Sequence, residues 1–89
     1  MKKTDCIDNV LKAVLGEVCR VQRQHPNWPE DVFKQLAIIG EEFGEAQQAA
    51  LKAEDGQGDK RLVEIEVEQV AAMALRFLIE REYKGLALT

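Results

Sequence analysis

Residues 59–84 read DKRLVEIEVEQVAAMALRFLIEREYK, and the reading of this stretch decides the fold. It contains neither proline nor glycine, is rich in Glu, Ala, Leu and Arg, and opens on Asp59, a residue type that caps helix N-termini. Gly85 follows it, a residue suited to the left-handed position just past a helix end. The pattern predicts one helix over about 59–84. From Val67 to Ile79 only Glu68, Gln69 and Arg76 are polar, so this helix is apolar on nearly every side. Such a helix has to be covered on several sides, and a small chain has little material with which to do so. A second copy is expected to complete the cover.

Outward from this helix, the chain is punctuated in two places. Glu54-Asp55-Gly56-Gln57-Gly58-Asp59 is a polar, glycine-containing turn, and His25-Pro26-Asn27-Trp28-Pro29 carries two prolines that cannot continue a helix. The intervening stretches predict helices over about 5–24 and 30–53, the second with Pro29, Glu30 and Asp31 at its start. The short links predict antiparallel neighbours. The expected fold is all-α: three main antiparallel helices in a single domain, residues 1–89, with a four-helix-bundle-type core completed by homodimerisation, as a dimer or a dimer of dimers.

The 89 residues are 46% hydrophobic and 31% charged, a balance that favours folding over disorder. A net charge of −4 argues against a protein that grips a nucleic-acid polymer by its phosphates. The longest apolar run, Val70 to Leu75, is far short of a membrane span, and Asp5, Asp8 and Lys12 interrupt any leader-like segment. A cytoplasmic protein without membrane attachment is expected. Cys6 and Cys19 fall on different faces of one helix, too far apart to bridge, and are expected as reduced thiols in small apolar sites.

The informative residues are carboxylates on the wrong face. With each residue advancing about 100°, Leu62, Val63, Val70, Met73 and Phe77 all lie within roughly 60° of Glu66. Glu64 and Glu68 point elsewhere, and Gln69 sits at the stripe's edge. Around Glu42, the residues Ile38, Ile39, Ala46, Ala49 and Ala53 form a comparable stripe, with Glu45 at its edge. Each helix therefore carries an i, i+3 pair of oxygen-bearing side chains beside its apolar face. Pairing about the turn near Gly56 leaves the two pairs only about 3 Å out of axial register, so they are expected to face each other. Buried carboxylates need compensation. They could be protonated, pair with Lys or Arg, or hold a metal ion; alternatively their heads could reach water from the stripe's edge. No basic residue lies within either stripe. Oxygen ligands without Cys or His suit a hard cation, Mg²⁺ before Mn²⁺ or Ca²⁺.

Gly40-Glu41-Glu42-Phe43-Gly44-Glu45-Ala46, followed by Glu66-Val67-Glu68-Gln69, resembles the EExxE…ExxD signature of the MazG-like family, in the all-α nucleoside triphosphate pyrophosphohydrolase superfamily. The resemblance covers the second and third helices, over half of the chain. It implies that Glu42, Glu45, Glu66 and Gln69 bind Mg²⁺ and that a nucleoside or deoxynucleoside triphosphate is hydrolysed to the monophosphate and pyrophosphate; Glu41 is read either as an outer-shell base or hydrogen-bond partner beside them or as a solvated helix glutamate. An acidic protein can hold such a polyanion when a metal inverts the local charge. One departure stands out: the signature's aspartate is Gln69 here, which removes a negative charge. The alternative is a MazG-like nucleotide-binding or regulatory module with reduced or no turnover.

Weaker candidates surround this site. Lys52, Lys60 and Arg61 form a basic rim about 10 Å along the helices, either for a phosphate tail or as ordinary surface charge paired to Glu54 or Asp55. Arg76 is read either as a phosphate contact or as an arginine paired with Glu80. Trp28 could stack on a nucleobase or close the end of the core. His25 reads as a residue at a helix end.

Overall fold

The computed structural model of the chain describes residues 1–86, which form an all-α fold of three helices: α1 (Lys3–Gln24), α2 (Val32–Glu54) and α3 (Lys60–Tyr83). Among the described residues there is no strand. The caps explain the boundaries. Asp31 Oδ1 accepts the Phe33 N–H at 2.8 Å and Asp59 Oδ1 accepts the Arg61 N–H at 2.9 Å, satisfying donors that have no partner within the helix. At the end of α2 the Gln57 N–H reaches Lys52 O (2.9 Å) and the Gly56 N–H reaches Ala53 O (3.2 Å). This closure puts Gly56 at φ +75°, where a side chain would be strained. Gly58 has no room for one: a Cβ there would lie 3.0 Å from Lys52 Cβ and 3.1 Å from the Ala53 nitrogen. The tight turn follows from these two glycines.

Two boundaries differ from expectation. The first helix begins at Lys3, two residues earlier than Asp5, because the Asp5 carboxylate accepts the Lys2 N–H at 3.2 Å and caps the added residues. The second begins at Val32, so Glu30 lies outside it. The reason is Gln35, buried on α2, whose Nε2 donates to Pro29 O at 2.6 Å and thereby holds the preceding loop in a non-helical path.

The helix α3 lies between the other two. Its hairpin with α2 is antiparallel, as expected. The helices α1 and α2 make no close backbone approach, which departs from the expected packing of sequence neighbours. The 25–31 elbow instead carries the chain past the far end of α3. As a result α1 runs parallel to α3: Val10 and Val14 share a groove with Val63 and Val67, while His25 at the other end meets Arg76.

The core is small. Val14, Val18, Ala72 and Met73 form its centre, flanked by Val21, Trp28, Ile38, Ile39, Ala71 and Leu75. Ala46 and Ala49 are buried on α2, and their small side chains allow α3 to approach closely. Much apolar surface stays outside this core. Ile7, Val10, Leu11 and Leu15 on α1, and Ile65, Val67 and Leu78 on α3, are all exposed in the single chain. The accessible area of 6916 Å² exceeds the roughly 5,200 Å² typical of a folded 10.0 kDa monomer by about 1,700 Å². The radius of gyration, 14.7 Å, is likewise above the roughly 12 Å of a globule this long. Cys6 and Cys19 are free and exposed, not inserted in apolar sites as expected, because the buried face of α1 runs through Val14 and Val18. No helix among the described residues is long and apolar enough to cross a membrane.

Met73 is the largest side chain at the centre of this core, and Met73→Ala should cost about 2–4 kcal/mol of stability in urea unfolding. Leu51→Ala, at a residue 61% exposed on α2, should cost well under half as much.

Candidate functional site

The α2–α3 hairpin brings Glu42, Glu45 and Glu66 together: one carboxylate oxygen from each lies within 4.8 Å of the others. Glu42 and Glu66 are half-buried and Glu45 is exposed, so the group sits at the edge of the helix pair with one side open. One oxygen on Glu42 and one on Glu66 are sealed from solvent without a hydrogen-bond partner. The only ion pair among the described residues joins Arg20 to Glu17, so no cation of the chain neutralises the three acids. Burial, followed by the charges of Glu45, Glu66 and Glu41, raises the pKa of Glu42. Burial and then Glu45 raise that of Glu66. Both shifts mark a place where negative charge is held against its preference.

The donor set fits a hard divalent cation. Three carboxylates converge, two present an oxygen with no other partner, and no thiol or imidazole is among them. Gln69 lies on the next turn of α3 and lines a cavity of about 370 Å³ together with Glu42. Glu41 is exposed beside Glu42 and does not join the cluster.

The other candidates divide between the two ends of the site. Lys52, Lys60 and Arg61 are exposed near the α2–α3 turn, and none makes an ion pair with Glu54 or Asp55. At the opposite end, Arg76 is buried, 3% exposed, and it neither bonds nor pairs with Glu80. Its Nη2 donates to the His25 carbonyl at 2.5 Å, and its guanidinium lies 4.8 Å over the Trp28 ring. Trp28 is half-buried against the core and also lines the cavity, so it serves the core while facing the site. His25 caps the end of α1 through its backbone N–H.

Residues of α1 were not foreseen in the site. Glu17 and Arg20 line the cavity and are joined by a salt bridge, and Arg20 Nη1 donates to Gln24 at 2.7 Å. The signal was present in the i, i+3, i+7 spacing of Glu17, Arg20 and Gln24 beside the Val14–Val18–Val21 stripe. No family model, curated protein or solved structure matches this chain.

The raised carboxyl pKa values have a signed consequence for the metal-free protein. A carboxyl group whose pKa is higher in the folded state favours folding at low pH, and this contribution is lost as pH rises from the ordinary glutamate range through the raised value. At neutral pH in chelator, Glu42→Gln should therefore stabilise the fold, by about 1 kcal/mol, and remove part of the stabilisation gained on mild acidification. Thermal unfolding from pH 4 to pH 8 checks both.

Proposed function

We propose that this chain is a MazG-like, Mg²⁺-dependent nucleoside triphosphate pyrophosphohydrolase. The observation that carries the reading is the convergence of Glu42, Glu45 and Glu66, with partnerless oxygens on two of them, beside a cavity that also includes Gln69. Glu42, Glu45 and Glu66 would hold the ion, with the Gln69 carbonyl oxygen as a fourth donor. When bound, the ion would offset charge developing on the phosphoryl oxygens and promote attack by water on the α-phosphorus, releasing pyrophosphate.

The protein's own groups then have separate tasks along the helix axis. Lys52, Lys60 and Arg61 lie about 10 Å towards the turn, within reach of the outer phosphates. The cavity at the other end, with Trp28 on its wall, is left for the nucleoside. Glu41, exposed and next to Glu42, would accept the proton of the attacking water.

Gln69 supports the second reading, a nucleotide-binding or regulatory module without efficient turnover. An amide gives the ion an oxygen but no charge, which weakens the hold on Mg²⁺. Pyrophosphate release from a panel of nucleoside triphosphates, with and without Mg²⁺, separates the two. The enzyme reading expects release that needs Mg²⁺ and falls at least 100-fold, roughly the loss of one charge-stabilising contact, in Glu42→Ala and Glu66→Ala. Gln69→Asp should raise it. Release only from the Asp variant would favour the binding module, and Mg²⁺ binding untouched by both Ala changes would discard the site.

The same proposal includes a homodimer or a dimer of dimers. An excess of about 1,700 Å² on each chain amounts to about 3,400 Å² for a pair, within the range of obligate homodimers. Val10, Val63 and Val67 line an apolar groove between α1 and α3 suited to such a contact. Sedimentation at micromolar concentration should give the mass of two or four chains, and Val67→Lys should lower it. A one-chain mass for the unaltered protein would exclude the assembly.

A further inference from the structure

Arg76 presents an unusual electrostatic problem. Its side chain is almost wholly buried, yet no carboxylate lies within ion-pair distance. An arginine in that state normally has a bidentate acid partner or several carbonyls. Here a single carbonyl, that of His25, accepts from Nη2. The Nε–H is sealed without a partner, and so is the indole Nε1–H of Trp28, over whose ring the guanidinium lies. Nη1 is neither sealed nor hydrogen-bonded, so it is the part of the cation still open for contact. Arg76 thus gives one wall of the cavity a positive charge with one open donor, and the same cavity reaches Glu42 and Gln69 at its other end.

Position separates Arg76 from the phosphates. It lies ten residues along α3 from Glu66, about 15 Å on the helix axis, on the side away from the basic rim. A triphosphate held at the carboxylate cluster would leave the nucleobase, not a phosphate, to meet this wall. Resting on the nucleotide reading above, we propose that Arg76 is a specificity-determining residue that selects nucleotides whose base presents a keto oxygen at purine C6 or pyrimidine C4: 6-oxopurines and 4-oxopyrimidines. A carbonyl there accepts from Nη1 and relieves the unpaired cation. The exocyclic amino group of adenine or cytosine would place a donor against a donor, which forfeits the hydrogen bond that a carbonyl makes there.

The test is calorimetric binding in Mg²⁺ of inorganic tripolyphosphate and the α,β-imido analogues of GTP, UTP, ATP and CTP, none of which requires turnover. The unaltered protein should bind the GTP and UTP analogues about 10- to 100-fold more tightly than the ATP and CTP analogues, the range for one charged hydrogen bond. Arg76→Met should remove most of that ratio while leaving tripolyphosphate affinity unchanged, and Arg76→Lys should keep part of it; circular dichroism establishes that each variant is folded. Equal binding of all four analogues by the unaltered protein overturns the proposal without any variant. A ratio that persists in folded Arg76→Met also overturns it. If tripolyphosphate itself does not bind, the nucleotide reading fails first and this inference with it, whereas tripolyphosphate binding without base preference removes the Arg76 assignment alone.

Discussion

The hairpin of α2 and α3 holds three carboxylates closer together than they would settle unaided. Each is a like charge to the others, two are half-buried, and the chain brings no cation to them. What opposes their separation is the packing of the same two helices through Ala46, Ala49, Ala72 and Met73. The small residues set the helix spacing, and the tight closure around Gly56 and Gly58 sets the register. Local electrostatic strain is thus carried by the core, an arrangement typical of sites that take up a ligand of opposite charge.

The opposite end of the hairpin carries a mirror of this imbalance. Arg76 is a buried cation with no carboxylate within ion-pair distance, stacked on Trp28 and tied to the elbow by one carbonyl. Glu66 and Arg76 lie about 15 Å apart along the axis of α3, and Glu42 and Arg76 line the same cavity without pairing. The rigid rods between them prevent pairing. The charge pattern is what makes a ligand with phosphates at one end and an acceptor-bearing ring at the other a physically reasonable occupant.

The exposed apolar surface is a separate matter. With α3 in the middle and α1 reaching it only along one side, no element among the described residues covers Val10, Leu11, Ile65 or Val67. The proposed self-association follows from that shortage of cover, whatever the site binds.

Much was legible in the residues themselves. Helix 3 is bounded by Asp59 and Gly85 because capping is a local backbone requirement, and the structure runs the helix from Lys60, next to Asp59, to Tyr83, two residues before Gly85. Glu42 and Glu66 could be singled out because a helical period of 3.6 residues fixes which side chains share a face. The facing of the two helices followed from the turn's position, since helical rise is constant. Other features needed the folded chain. Gln35 moved the start of α2 by bonding to carbonyls of the preceding loop. Nothing local reveals that α1 packs parallel to α3 and not against α2, or that Arg76 chooses Trp28 and a backbone carbonyl over Glu80. Periodicity along one helix determines what each face carries, but the partner of a face depends on where the elbow sends the chain, and only tertiary packing decides that.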